Sequence, residues 1–191
     1  MYPKVAIREF VANAIIHQDF SITGAGPMVE VFATRMEITN PGKPLVEPDR
    51  FIDHSPISRN ETLASLMRRM KICEEWGSGV DRAVHSIELF QLPAPEFIAE
   101  NLYTRIILFS YREFKDMGRV DRVRACFQHC VLRWLARDFM TNATLRERLG
   151  IEERNYPMVS KVIKDTLEAG LIKPADPANK STKKKYIPRW G

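Results

Sequence analysis

The pattern that most constrains this chain lies in residues 121–191, where three helical segments precede two short β-rich runs. Periodicity predicts a helix over 121–139, with its inward face formed by Val123, Phe127, Val131, Trp134 and Leu135. Thr141 or Asn142 caps a shorter helix that stops at Gly150, and a third helix over 155–169 ends before Gly170. Residues 171–172 and 186–187 then predict a two-stranded ribbon.

This order of elements is typical of a winged-helix domain, whose third helix enters the major groove of duplex DNA. If Val159, Ile163 and Leu167 face inward, the exposed face of that helix carries Asn155, Tyr156, Ser160, Lys161 and Lys164. The ribbon adds cations suited to backbone phosphates, namely Lys180, Lys183, Lys184 and Lys185. Two alternatives remain open, a solvated helix face with a loose lysine tail, or a module that contacts only protein.

The charge of the chain is divided unevenly between its two parts. Residues 1–114 carry 12 Lys and Arg against 15 Asp and Glu, whereas residues 115–191 carry 17 against 9. The net charge of +5 therefore comes from the C-terminal part alone. A basic domain beside a nearly neutral one indicates that the basic domain meets a polyanion and that the other domain does something else.

The N-terminal part predicts an α-β-β-α-α-β order. A helix over 5–17 precedes two strands, over 28–32 and 36–38. Two further helices follow, one over 61–70 that Asn60 caps and one that begins at 77–79 and ends at about 90. The last element is a strand over 103–111, whose apolar run needs cover on both faces. We therefore predict an α+β protein with an α/β sandwich over 1–112, a linker over 113–120 and a winged helix over 121–191.

A polar stripe follows the first predicted helix. Glu9, Asn13 and His17 are spaced four apart and so share one face, and Asp19 follows the helix end. A carboxylate and a carboxamide one turn apart can orient a water and coordinate Mg²⁺ beside a triphosphate. The spacing alone is equally compatible with a surface or capping role.

Three runs occur in a fixed order: REFVANAIIHQDF at 8–20, MEITNPG at 36–42 and EEWGSGVDR at 74–82. Together they resemble the C-terminal domain of bacterial and archaeal proteins labelled as transcriptional regulators or RecG-like helicases. The resemblance covers residues 3–110. It implies an upstream Schlafen/AlbA-type domain, and a winged helix commonly follows in that family.

That domain is similar in turn to the GHKL ATPase fold. The similarity implies that Glu9 is the water-orienting base, that Asn13 binds Mg²⁺, and that ATP is held by Asn13, Asp19, Asn40, Gly42, Gly77, Ser78 and Gly79. Residues 77–79 would be the phosphate loop, because free amides at a helix N-terminus bind anions. Asn40 stands where the family usually has the acidic residue that reads adenine.

Several classes of protein are excluded or disfavoured. No GxxxxGK[ST] run occurs, so the chain alone is not a helicase motor. Neither a signal peptide nor an apolar run long enough for a membrane span is visible, which predicts a cytoplasmic protein without a membrane partner.

Three functional hypotheses follow from these patterns. In the first, the chain is part of a DNA-binding transcriptional regulator whose α/β domain binds ATP or acts as a sensor or dimerisation scaffold. In the second, that domain is an active Mg²⁺-dependent ATPase coupled to DNA. In the third, both domains contact only proteins. The sequence leaves open whether two copies form a homodimer.

Overall fold

The structure, a computed structural model, describes residues 1–73, 79–176 and 184–191. The chain divides into two compact units. Unit 1 contains residues 1–90 and 95–110, and unit 2 contains residues 91–94 and 111–191. The architecture is α+β, as the sequence predicted.

Unit 1 is built on a four-stranded antiparallel sheet with the order β1-β2-β4-β3. Its strands are β1 (Met28–Val31), β2 (Arg35–Pro41), β3 (Glu96–Ala99) and β4 (Tyr103–Phe109). The register pairs Ile38 with Ile106, and both side chains are buried. The strand β3 was not predicted from the sequence, because only four residues separate its proline-rich start from the next turn and no clear alternation develops.

Three helices accompany the sheet: α1 (Lys4–His17), α2 (Glu61–Arg69) and α3 (Gly79–Leu89). The predicted first helix is confirmed, but its expected apolar stripe is only partly right. Phe10 and Ala14 are buried, whereas Ile7, Val11 and Ile15 are half-buried. The additional buried positions are Ala6, Ala12 and Ile16. Alanines are favoured there because α1 packs closely against α2, α3 and β2 at once.

The expectation that β4 is covered on both faces is wrong. Its side chains alternate between buried and half-buried, so one face of the strand forms the core and the other is partly open. On the open face Glu37 is nevertheless only 5% exposed. Arg35 Nε and Arg105 Nη1 approach its carboxylate at 2.5 and 3.2 Å. The two guanidinium groups compensate the carboxylate charge that would otherwise oppose burial.

Asn60 does not cap α2 with its side chain, contrary to the sequence prediction. Its Nδ2 instead donates to the carbonyl oxygens of Ile16 and Gln18, both at 2.8 Å. Arg59 Nε donates to the carbonyl of His17 at 3.1 Å. These bonds satisfy carbonyls that the end of α1 leaves without helical partners. They also fix the end of α1 against the residues that precede α2.

Unit 2 contains three helices and a two-stranded ribbon. These are α4 (Arg119–Leu135), α5 (Asn142–Arg148), α6 (Tyr156–Glu168), β5 (Ile172–Pro174) and β6 (Tyr186–Pro188). A bridge between Met140 and Tyr186 extends the ribbon by one residue pair. Val131, Met140, Leu145 and Val159 are fully buried and form the centre of this unit. Part of the predicted linker is ordered as a 3₁₀ turn, Phe114–Asp116.

The first helix of unit 2 ends four residues earlier than predicted. Arg137 has a φ of +60°, a left-handed conformation that stops α4. Two side chains that were expected to face inward, Trp134 and Leu135, are 36% and 40% exposed. The predicted end of α6 is confirmed, since Gly170 has a φ of +69°.

Residues 91–94 leave unit 1 after α3 and pack within unit 2 before the chain returns to β3. Leu92 and Ala94 are 4% and 2% exposed. Arg148 Nη2 donates to the carbonyl of Leu92 at 2.7 Å, and Arg124 Nε donates to that of Ala94 at 3.1 Å. The core of unit 2 thus includes a segment whose two ends both continue into unit 1.

Removing the capping hydroxyl of α5 should destabilise unit 2. Thr141 Oγ1 accepts from the amide of Thr144 at 3.2 Å, and Thr144 Oγ1 accepts from the amide of Thr141 at 3.0 Å. For Thr141→Ala we expect the free energy of unfolding, measured by urea denaturation, to fall by about 1 kcal/mol. Thr141→Ser keeps the hydroxyl and should stay close to the wild type. Equal losses for both variants would contradict a capping role.

Candidate functional site

Unit 1 encloses a cavity of about 190 Å³ between its helices and its sheet. The walls come from α1, β2, β4, the segment 44–58, α2 and the start of α3. Four predicted site residues line it together: Glu9, Asn13, Asn40 and Gly79. The fold therefore brings to one cavity residues that are up to 70 positions apart in the sequence.

Glu9 lies where the first turn of α3 approaches α1. Its side chain is 2% exposed, and its Oε1 accepts two bonds from the neighbouring Arg8, from Nε at 3.1 Å and Nη2 at 2.8 Å. A Cβ at Gly79 would stand 2.7 Å from Glu9 Oε2. A side chain at this position would have to displace that carboxylate oxygen.

Asn13 and His17 follow Glu9 along the same wall, as their spacing predicted. His17 is half-buried, and burial together with the neighbouring Arg59 lowers the pKa of its imidazole below the ordinary value of 6.5. Its ring is therefore neutral at pH 7. The cavity wall presents a carboxamide and an uncharged imidazole beyond the carboxylate of Glu9.

Asn40 and Thr104 stand opposite each other on β2 and β4 at the sheet side of the cavity. Both are buried. Asn40 Nδ2 donates to the carbonyl of Pro41 at 3.2 Å, and Thr104 Oγ1 donates to that of Gly42 at 2.9 Å. These bonds hold two polar side chains in fixed orientations at the cavity floor.

Two predicted site residues, Asp19 and Gly42, are not among the residues that line the cavity. The Asp19 carboxylate accepts from the amide and the hydroxyl of Ser21 at 3.0 and 2.6 Å, and these bonds lower its pKa. Gly42 has a φ of +105°, and a Cβ there would lie 2.8 Å from Asp19 Cβ. Both residues shape the turn beside the cavity. Gly77 and Ser78 lie outside the described residues.

Several residues of the cavity were not predicted from the sequence. Arg68 of α2 supplies a cation, and Thr104 supplies a hydroxyl. Much of the remaining wall is apolar, formed in part by Leu45, Val46, Phe51 and Ile57. Alternation along β4 could have placed Thr104 on the inner face, next to Ile106. The segment 44–58 has no periodic pattern, so nothing in it indicated that it covers a cavity.

A family model described as "Putative ATP-dependent DNA helicase recG C-terminal" matches residues 24–108. Residues 24–108 match the RecG C-terminal family. The resemblance found in the sequence motifs is thereby confirmed over this range. Asn40, Gly42 and Gly79 lie inside the range that matches the RecG C-terminal family, whereas Glu9, Asn13 and Asp19 precede it.

A solved structure with a similar fold is the DIP2311 protein from Corynebacterium diphtheriae. The sequences are 18% identical, the TM-score is 0.55, and the similarity covers 98% of this chain and 40% of the other. At this identity the similarity concerns the fold alone. The chain spans less than half the length of that protein. The comparison with curated proteins gave no match.

The exposed face of α6 forms a second candidate site, in unit 2. The residues predicted to face outward are all exposed: Asn155, Tyr156, Ser160, Lys161 and Lys164. Val159 and Ile163 are buried as predicted, and Leu167 is half-buried. Asn142 Nδ2 of α5 donates to Ser160 Oγ at 3.0 Å and to the carbonyl of Tyr156 at 3.2 Å. The start of α5 thus holds this face of α6 in place.

The ribbon adds further cations to unit 2. Lys184 and Lys185 are exposed, and Lys185 Nζ lies 4.8 Å from the centre of the Phe139 ring. Lys173 on β5 is also exposed and was missed by the sequence analysis. Two other predicted residues, Lys180 and Lys183, lie outside the described residues.

Acidic side chains near the start of α6 are paired with arginines. Glu152 lies 2.6 Å from Arg154, and Glu153 lies 3.9 Å from Arg146. At the other end, Lys164 Nζ lies 3.8 Å from Glu168. Exposed pairs of this kind exchange partners readily because each contributes little free energy. Lys161 has no ion-pair partner among the described residues.

Among residues 1–73, 79–176 and 184–191, the helices are too short or too polar to cross a membrane. The same residues contain no group of three or more His, Cys, Asp and Glu side chains arranged for a metal ion.

The approach of Gly79 to Glu9 can be tested by a double-mutant cycle. Gly79→Ala should lower the free energy of unfolding by about 1 to 3 kcal/mol, because the new methyl displaces a buried carboxylate. In a Glu9→Ala background the same change should cost much less, as measured by urea denaturation. Gly26→Ala, where a Cβ meets nothing within 4 Å, is the control. Additive effects of the two substitutions would show that the contact does not exist.

Proposed function

We propose that the chain is the nucleotide-responsive, DNA-binding part of a transcriptional regulator. Unit 1 is a GHKL-like domain that binds ATP in its cavity, and unit 2 is a winged helix that binds duplex DNA through α6 and the ribbon. The observation that carries the proposal is that the two units differ in charge and in shape. One unit has a cavity in which several polar side chains stand among apolar ones, and the other has the exposed basic helix face.

Binding of a nucleotide in unit 1 is supported by the donor set of the cavity. Asn40 and Thr104 offer fixed polar groups on the floor, and the apolar side chains of Phe51 and Ile57 suit a flat ring. Asn13 and Arg68 line the same cavity and can face phosphate oxygens. The first turn of α3, starting at Gly79, provides backbone amides for an anion.

Magnesium would be held by Asn13 together with the phosphates themselves. Mg²⁺ usually keeps most of its waters and takes only one or two protein ligands beside substrate phosphates. A carboxamide oxygen is a suitable ligand, and no dedicated cluster of carboxylates is needed. When bound, the ion neutralises phosphate charge that Arg68 alone would leave uncompensated.

Binding rather than hydrolysis is the activity that the cavity supports better. A general base must accept a proton from the attacking water. Glu9 Oε1 already accepts two bonds from Arg8, and these bonds compete with a bond from an attacking water. We therefore propose a ligand-sensing domain, with an active ATPase as the second candidate.

Duplex binding by unit 2 is supported by the predicted face of α6, which carries hydrogen-bonding and cationic groups free of the core. Asn155 makes no side-chain cap bond to its helix, so its carboxamide remains available for a base edge. Lys161 and Lys164 lie one turn beyond Tyr156 and Ser160, in reach of phosphates. Lys173, Lys184 and Lys185 provide a second group of backbone contacts.

Calorimetry with a non-hydrolysable ATP analogue and Mg²⁺ tests the nucleotide site. We expect binding to the wild-type chain and binding at least about tenfold weaker to Asn13→Ala, which loses a charge-assisted contact. Ser65→Ala, on α2 outside the cavity, should bind as the wild type does. The absence of heat with all three proteins would retire the nucleotide hypothesis.

Fluorescence anisotropy with a labelled mixed-sequence duplex tests the DNA surface. We expect log affinity to fall linearly with log salt concentration, and Lys161→Ala to reduce the slope by about 0.9. Lys115→Ala removes the same charge elsewhere in unit 2 and should leave the slope unchanged. Binding that does not depend on salt, or no binding at all, would favour the hypothesis of protein contacts alone.

A further inference from the structure

The segment 91–94 connects elements of the two candidate sites through the chain itself. It follows α3 after one residue, Phe90, and the first residue of α3, Gly79, lines the cavity of unit 1. Its own contacts belong to unit 2. The chain then returns to unit 1 at Pro95. If α3 shifts along its axis, it therefore pushes or pulls on residues 91–94, which unit 2 holds.

Unit 2 holds this segment firmly. The side chains of Leu92 and Ala94 are buried, and their carbonyl oxygens accept bonds from Arg148 and Arg124. Arg148 is itself 8% exposed. Hydrogen bonds from a charged donor are stronger than neutral ones, and a buried guanidinium that lost its acceptor would be costly. Movement of the segment therefore moves the two arginines rather than breaking their bonds.

Arg148 is the last residue of α5, and α5 leads to the DNA-binding face. At the other end of this helix, Asn142 holds Tyr156 and Ser160 of α6. With seven residues, α5 is about 10 Å long. A helix this short moves as one body, so a shift at Arg148 reaches Asn142.

The opposite end of the connection is equally well anchored. The helix α3 has 11 residues and is about 16 Å long. Ala83, Val84 and Ile87 are buried in unit 1, where α3 packs against α1. A Cβ at its first residue, Gly79, would stand 2.7 Å from Glu9 Oε2. A ligand at this end must either fit the existing gap or move α3.

We propose that residues 91–94 couple the cavity to the DNA-binding face, so that nucleotide occupancy changes the affinity for duplex DNA. This inference rests on the proposed function, since it requires both ligands. The series of contacts runs from Gly79 through α3 to Leu92, and from Arg148 through α5 to Ser160. By thermodynamic linkage the effect is reciprocal: duplex DNA changes nucleotide affinity by the same factor.

The coupling is measured as the ratio of duplex dissociation constants with and without the saturating ATP analogue and Mg²⁺. For the wild type we expect a ratio that differs from one by at least about fivefold. Arg148→Met and Arg124→Lys, which weaken the hold on the segment, should bring the ratio close to one. Arg122→Met removes an arginine that bonds Phe114 and Lys115 instead, and should keep the wild-type ratio.

A second measurement requires no ligand. Hydrogen exchange of the full chain is compared between the wild type and Gly79→Ala, in which the added methyl displaces the first turn of α3. We expect changed protection in residues 91–94 and in α5, as well as in unit 1. Gly26→Ala should change neither region.

The outcomes separate this inference from the proposed function. If the wild type binds both ligands with a ratio of one, or if Arg148→Met and Arg124→Lys keep the wild-type ratio, the coupling is refuted while the two binding sites stand. If either ligand fails to bind, the proposed function fails, and the coupling fails with it. Exchange changes confined to unit 1 in Gly79→Ala would refute the mechanical connection independently of any ligand.

Discussion

The cavity of unit 1 depends on the close approach of α3 to α1 at Gly79. A Cβ at this position would collide with the Glu9 carboxylate, which Arg8 holds in place from the same helix. The absence of a side chain thus lets the two helices lie at their present distance without displacing the Glu9 carboxylate. That distance determines where the first turn of α3 stands relative to Asn13 and Asn40. The charge of Glu9 can be buried here because its guanidinium partner is adjacent in the sequence.

The two polar residues that close the end of α1 show how a helix end and a cavity wall are secured together. Arg59 and Asn60 donate to the last carbonyls of α1, and Arg59 Nη2 also donates to the carbonyl of Lys43 at 2.5 Å. This arrangement ties the turn that follows β2 to the helix that carries Glu9 and Asn13. The segment 44–58, which contains a 3₁₀ turn at Pro48–Arg50, can then form a wall of the cavity.

Unit 2 distributes its arginines and lysines between different tasks. Arg124 and Arg148 donate to backbone carbonyls of residues 91–94, where the planar guanidinium offers directed donors. Lys161 and Lys164 lie instead on α6 and Lys173 on β5, and all three are exposed. A compact, mobile cation is the better partner for a phosphate that can occupy several positions. The positive charge of this unit thus serves internal packing as well as the proposed interface.

The sequence by itself determined most of the helices, three of the four strands of the sheet and the outward face of α6, because helical and strand periodicity record which side of an element meets the core. It also placed Glu9, Asn13 and His17 on one wall, since they are one turn apart. Only the tertiary structure decided that Asn40 and Gly79 join them while Asp19 and Gly42 do not, and that Arg68 and Thr104 complete the cavity. The packing of residues 91–94 in unit 2 was equally invisible. Such contacts depend on how separate segments meet in space, and local periodicity contains no information about that meeting.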